Sequence, residues 1–168
     1  RCPEYIGALH GLWATARIRP HVLDNPVPHR PGNPWLAAHG LVNGATVVMV
    51  DSETARDGAL WLDILKSKKL TMLQATPTTW EMLLESNWDE KLNLLAVCGG
   101  EALTTELAKK LLSKCDTVWN VYGPTEATIV STVKKITVED EIISIGKPID
   151  NYQIYILNSN GQLVPPGV

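Results

Sequence analysis

Between residues 41 and 133 the chain alternates short, unbroken apolar runs with longer stretches whose apolar positions recur at helical spacing. Asn43-Gly44 is a turn signal, and residues 45–50 (Ala-Thr-Val-Val-Met-Val) form a continuous apolar run rich in branched residues. Such a run predicts a strand buried on both faces. Leu60, Trp61, Ile64 and Leu65 then share one helical face, with Lys66, Lys68 and Lys69 where cations suit the end of a helix. Residues 71–75 predict a second strand. Pro77, well placed as a first helical residue, opens a helix over 78–86 with Trp80, Leu83 and Leu84 on one side. Residues 94–97 predict a third strand, ended by Gly99-Gly100. Leu103, Leu107, Ala108, Leu111 and Leu112 stripe a third helix, with Glu106 in its first turn and Lys109, Lys110 and Lys114 toward its end. The strand 117–121 follows, and a further apolar run covers 127–133.

Strand and helix alternating over short links predict an α/β fold, a parallel sheet with covering helices. Ligands of such sheets bind outside the carboxyl ends of the strands. Three loops leave those ends: Ala75-Thr76-Pro77, Cys98-Gly99-Gly100-Glu101-Ala102 and Tyr122-Gly123-Pro124-Thr125-Glu126. The glycines of the second loop permit close approach of a flat ligand, or merely turn the chain. The stretch Asn120-Val121-Tyr122-Gly123-Pro124-Thr125-Glu126 offers an amide, an aromatic ring, a hydroxyl and a carboxylate within seven residues. That set suits a nucleotide with its metal; it also reads as an ordinary Gly-Pro turn with a solvated Glu.

The flanks differ in texture. Residues 1–40 carry six of the eleven prolines and all four histidines, with no sustained period. Proline at this density opposes helix interiors and central strands, which predicts irregular chain. His21, His29 and Asp24 have no spacing that fixes a metal geometry. Past residue 133 comes an acidic run, Glu139-Asp140-Glu141, and the punctuation Ile145-Gly146-Lys147-Pro148. Residues 152–157 then predict a strand, with a hairpin-type turn over 158–161 before Gln162-Leu163-Val164. The predicted division is thus an irregular segment 1–40 and a body 41–168, made of an α/β core 41–133 and the start of a β-rich subdomain 134–168.

Composition narrows the class. In 168 residues, 45% are hydrophobic and 20% charged, an ordinary globular balance with room for a sizeable core. The net charge of -3 gives no polycationic footprint, which argues against nucleic acid as a partner. No run is long enough to span a bilayer, and the N-terminus does not read as a signal peptide. Cys2, Cys98 and Cys115 form no CxxC pair, which fits a reducing, cytoplasmic setting. The start without Met and the ending Pro165-Pro166-Gly167-Val168 read as a piece of something longer.

The order of motifs resembles the adenylation domain of non-ribosomal peptide synthetases, within the adenylate-forming enzymes. The matching residues are Asn43-Gly44-Ala45-Thr46-Val47-Val48, Ala55-Arg56-Asp57-Gly58, Gln74-Ala75-Thr76-Pro77-Thr78-Thr79-Trp80, Cys98-Gly99-Gly100-Glu101-Ala102-Leu103, Asn120-Val121-Tyr122-Gly123-Pro124-Thr125-Glu126 and Ile145-Gly146-Lys147-Pro148-Ile149. The resemblance implies part of that family's large N-terminal domain. It implies an enzyme that uses Mg-ATP to turn an amino acid into an aminoacyl-adenylate, releasing pyrophosphate. The acyl group then passes to the phosphopantetheine thiol of a carrier domain, beside a condensation domain. Thr125 would bond phosphate and Glu126 would hold Mg²⁺. Tyr122 would stack on adenine, Asn120 would meet its amino edge, Gly100, Glu101 and Ala102 would form the other wall, and Gly99 and Gly123 would also line the cofactor site. Side-chain selectivity would fall to Ala75, Val97, Gly99, Val121, Ile129 and Val130. Those walls imply a neutral, apolar side chain of medium to large size, because burying an unpaired charge is costly.

Before residue 41 the resemblance stops. The family's phosphate loop with Ser, Thr and Lys, and its Phe-Asp segment whose Asp holds the substrate amine, have no counterpart in 1–40. A reading-frame shift accounts for this: codons for Asp24-Asn25-Pro26-Val27, read one base later, can encode Thr-Thr-Leu-Ser. A genuinely divergent segment is the rival. The piece alone is expected to be inactive. An acyl-CoA or aryl-acid ligase of the same superfamily, and a non-catalytic nucleotide-binding or pseudogene fragment, are the other function classes.

Overall fold

A computed structural model describes residues 20–23, 45–48, 50, 54–127, 129–165 and 167 of the chain. Seven strands form one sheet in the order β2-β1-β3-β4-β5-β6-β7. They are β1 (Pro20–Leu23), β2 (Thr46–Val48), β3 (Met72–Ala75), β4 (Leu92–Cys98), β5 (Cys115–Tyr122), β6 (Thr132–Lys135) and β7 (Lys147–Pro148). The first five run parallel, and β6 and β7 add antiparallel to β5. Among the described residues three helices lie in the crossovers from β2 onward: α1 (Gly58–Ser67), α2 (Pro77–Leu84) and α3 (Thr105–Lys114).

Local chemistry sets the helix ends. Asp57 caps α1 by accepting from the Ala59 and Leu60 amides at 2.8 and 3.1 Å. Thr76 caps α2 ahead of Pro77, whose missing N–H costs nothing in the first turn. Thr104 caps α3. Leu103 lies just before that cap rather than in the helix, and is buried in the same cluster as Ala108, the spacing of a hydrophobic staple.

The core has two parts, one on each face of the sheet. The larger packs Trp61, Leu65, Trp80, Leu83, Leu107 and Leu111 of the helices against Leu73, Leu94, Ala96 and Val118. Trp80 stacks on Trp88 with ring centroids 6.5 Å apart. The smaller, on the other face, holds Met72, Leu95, Val97, Trp119, Val121 and Val133, with Val130 and Ile149 packed against it.

The structure departs from the sequence expectation in further places. Within the segment expected to be irregular, Pro20–Leu23 forms β1, lodged between β2 and β3. Pro20 is its first residue, where proline is tolerated. That insertion pushes β2 to the sheet edge, so Thr46 is exposed and Val47 and Val48 are half-buried, instead of buried on both faces. Leu60 is 46% exposed; the inward face of α1 is Trp61, Leu62 and Leu65. The apolar run 127–133 does not make one strand, because a 3-10 turn (Thr125–Ala127) and a tight return precede β6. Over 152–157 only one bridge forms, Leu157 with Leu163, around the expected turn, where Asn158 and Gln162 pair at 2.9 Å. Ile154, Tyr155 and Ile156 stay exposed, and the pairing with 163–164 adds only the bond from the Val164 amide to the Ile156 carbonyl, at 3.1 Å.

Candidate nucleotide and substrate site

The parallel register puts the carboxyl ends of β3, β4 and β5 side by side. Ala75 is level with Cys98, and Cys98 with Asn120. The three loops that the sequence singled out therefore leave one edge of the sheet together. The first two are tied directly: the Glu101 carboxylate accepts from the Thr78 hydroxyl at 2.6 Å and from the Thr78 amide at 3.2 Å. Glu101 thus satisfies an otherwise orphan donor of the first turn of α2. The second loop meets the end of β5, just before the third loop, at Gly99. A Cβ there would lie 2.7 Å from Val121 Cγ2, so only glycine lets the β4 loop close on β5.

The third loop is folded back on itself. The Ser131 amide donates to the Tyr122 carbonyl at 2.8 Å, and the Ala127 amide to Pro124 at 3.1 Å. Ile129 adopts a φ of 77° to make the return. This leaves Thr125 and Glu126 exposed on the 3-10 turn and Tyr122 49% exposed beside it. Asn120 is buried, and its side-chain amide donates to the Ser144 carbonyl at 2.9 Å, which fixes the amide plane and leaves Oδ1 as an acceptor.

Strand alternation sorts the residues expected to set selectivity. Val97, Val121 and Val130 belong to the smaller cluster on one face, with Gly99 against Val121. Ile129 is half-buried in the return. Ala75 points the other way, into the helix-covered core with Trp80 and Cys98. Its neighbour Gln74 takes that place: it alternates with the buried Leu73 and Ala75 and is level with Val97. Gln74 lay inside a quoted motif, and counting the strand pleat outward from the buried Leu73 would have found it.

The residues fit a magnesium nucleotide. Magnesium needs only one or two protein carboxylates when phosphates supply the rest. Glu126 is such a carboxylate, exposed and without a hydrogen bond or ion pair among the described residues. No group of three or more His, Cys, Asp or Glu that could hold a metal by itself occurs among those residues. His29 and Asp24 lie outside them. Among the described residues the thiols of Cys98 and Cys115 are buried, which pushes Cys98 well up and Cys115 up to about 12, away from the thiolate.

The fold and this edge of the sheet define a class. The chain belongs to the AMP-binding enzyme family, whose model matches residues 32–168. It is 37% identical over 129 residues to a dimodular nonribosomal peptide synthase of Bacillus subtilis, covering 76% of this chain and 5% of that protein. It superposes with a TM-score of 0.74 and 47% identity on a holo four-domain nonribosomal peptide synthetase solved with AMP and glycine, covering 77% of this chain and 10% of that one. It shares its fold with a Vibrio cholerae adenylation domain solved with glycyl-adenosine-5′-phosphate (TM-score 0.76, 24% identity, 95% of this chain and 31% of that one). The chain thus spans a small fraction of the length of these relatives. The resemblance to a non-ribosomal peptide synthetase adenylation domain, drawn from the motifs, is borne out. Among the described residues no helix is long and apolar enough to cross a membrane.

Proposed function

We propose that this chain supplies the nucleotide-binding and selectivity edge of an amino-acid-activating adenylation domain in a cytoplasmic peptide synthetase. The observation that carries the reading is one juxtaposition. An apolar wall of Val97, Val121 and Val130 adjoins, through β5 itself, the turn that presents Tyr122, Thr125 and Glu126. A carboxylic acid seated on the wall would lie next to a nucleotide seated on the turn.

In this reading Tyr122 stacks on adenine and Asn120 Oδ1 accepts from its amino group. Backbone of Gly99, Gly100, Glu101 and Ala102 closes the other side. Gly123 and Thr125 meet phosphate, and Glu126 holds Mg²⁺, which supplies charge neutralisation at the phosphates. No protein nucleophile is needed, since the substrate carboxylate attacks the α-phosphorus and pyrophosphate leaves. The chain's work is alignment and exclusion of water. The acyl group then passes to the phosphopantetheine thiol of a carrier domain, which works with a condensation domain of the same synthetase. Positions 74, 97, 99, 121, 129 and 130 carry no charged side chain. This supports a neutral, apolar substrate of medium to large size, with the Gln74 amide as the one polar group at hand.

Amino-acid-dependent ATP–pyrophosphate exchange tests the reading. Residues 41–168 replace the matching segment of a complete adenylation domain, and the common amino acids are screened with Glu126→Ala as control. Exchange favouring an apolar amino acid and lost in the control is expected. Exchange with an acid lacking an α-amine would redirect the reading to an acyl-CoA or aryl-acid ligase. No exchange from a folded protein would leave a non-catalytic nucleotide-binding piece. The family match begins at residue 32, so a shifted reading frame is proposed only upstream of it, and resequencing that finds no frame change refutes it.

A further inference from the structure

The turn that carries Glu126 is a single 3-10 turn, a geometry with weak hydrogen bonds of its own. Pro124, Thr125 and Glu126 are all exposed. Within the turn one bond closes the ring, from the Ala127 amide to the Pro124 carbonyl. The trailing end is held from outside. The hydroxyl of Tyr152, half-buried, donates to the Ala127 carbonyl at 2.8 Å across 25 positions of sequence.

The base of this strut is rooted in the sheet. The Tyr152 amide donates to the Ile149 carbonyl at 3.1 Å, and the Ile149 amide to the Ser131 carbonyl at 3.0 Å. Ile149 itself packs on the smaller core cluster. Asn151 adopts a φ of 65°, a left-handed bend that asparagine tolerates, so the chain turns sharply just before the ring. A tyrosine has two side-chain torsions and a rigid body, so its hydroxyl holds a carbonyl at a set distance from its own backbone.

We propose that Tyr152 is a positioning residue for the Glu126 turn, fixing where that carboxylate and Thr125 stand relative to the sheet edge. This rests on the reading of Glu126 as the magnesium–phosphate group. Tyr152 touches no reacting atom. Its loss leaves the Ala127 carbonyl to water and frees the trailing end of the turn, while the apolar wall of Val97, Val121 and Val130 keeps its packing. The effect therefore falls on MgATP and spares the amino acid.

The test is Tyr152→Phe, which removes one oxygen, with Tyr155→Phe as control. Tyr155 is exposed, and its hydroxyl bonds only to Gln153 at 2.6 Å. In the full chain, hydrogen exchange of the Ala127 and Ser131 amides should speed about three- to tenfold in Tyr152→Phe, the loss of one neutral hydrogen bond. Amides of β4 should not change, and Tyr155→Phe should exchange as the parent. In the grafted adenylation domain, the same variant should raise KM for MgATP by a similar factor, with KM for the amino acid unchanged. Unchanged exchange at 127 and 131 overturns the strut. Faster exchange with an unchanged KM for MgATP, or with both KM values raised alike, overturns the positioning role. Glu126→Ala separates the two readings: if it leaves KM for MgATP unchanged, the proposed function fails; if it raises it while Tyr152→Phe does not, only the strut fails.

Discussion

Replacing Gly123 by alanine adds one methyl group where the backbone leaves no room. The new Cβ would stand 2.5 Å from the Ile129 carbonyl oxygen, 2.8 Å from its carbon and 2.8 Å from the Ser131 nitrogen. All three are backbone atoms, so no side chain can swing aside. Relief requires the return 129–131 to move outward, which stretches the bond from the Ser131 amide to the Tyr122 carbonyl. Overpacking of this kind costs roughly 1–3 kcal/mol. The hydrogen bond contributes about 1 kcal/mol. Against these, alanine restricts the unfolded chain, a gain of about 0.4–1 kcal/mol. The net expectation is a loss of roughly 1–3.6 kcal/mol, centred near 2, from the difference of those three figures. In urea this lowers the unfolding midpoint by about 1 M at an ordinary slope, without changing the slope. Gly161→Ala is the comparison: its φ is 74°, but nothing lies within 4 Å of the new Cβ. That variant carries only the left-handed penalty, about 1 kcal/mol. If Gly123→Ala loses no more than Gly161→Ala, the close approach of the two backbones does not hold this loop, and the reasoning is refuted.

The Glu101–Thr78 tie predicts a coupling of about 0.5–1 kcal/mol, reduced by solvent exposure, in an unfolding double-mutant cycle of Glu101→Ala and Thr78→Val. Zero coupling would mean that the two loops are held apart from this bond. Asp140 offers a pH prediction. Its hydrogen bond to Lys134, at 2.7 Å, followed by that from the Thr137 amide, holds the carboxyl below its ordinary value. A depressed folded-state value gives stability that is present above the unfolded value, about 3.9, and lost as pH falls through the folded one. Urea midpoints of the parent should therefore drop below about pH 4 more steeply than those of Asp140→Asn.

What could be read in advance follows from where each side chain's environment is local. The strands β3, β4 and β5 were visible because both of their faces are covered, so their runs are unbroken. The helices α2 and α3 were visible because Pro77 and Glu106 mark their starts. The chain around β1 carries proline and histidine, and Pro20–Leu23 becomes a strand only because a slot exists between two distant partners. No local pattern encodes that slot. Likewise the apolar residues 127, 129 and 130 resembled a strand, yet the contact of Gly123 with Ile129 and Ser131 bends them into a return. The motifs were legible as a set, whereas which of Gln74 and Ala75 shares a face with Val97 needed the pleat.

The placing of β1 also bears on how the molecule is made. The units β3–α2–β4 and β4–α3–β5 each join strands that are neighbours in both sequence and space, and β6 follows from a short return. These can assemble as soon as their residues exist. β1 instead pairs His21 with Val47 on one side and with Met72 on the other, the second being the most distant register in the sheet. Closing that loop is slow, since the entropy of bringing remote segments together is spent before any contact rewards it. Until it closes, the amino side of β3 is an open edge that any other extended segment can occupy. In that interval the loop-bearing ends of β3, β4 and β5 are already assembled, while the flank that β1 covers is unguarded.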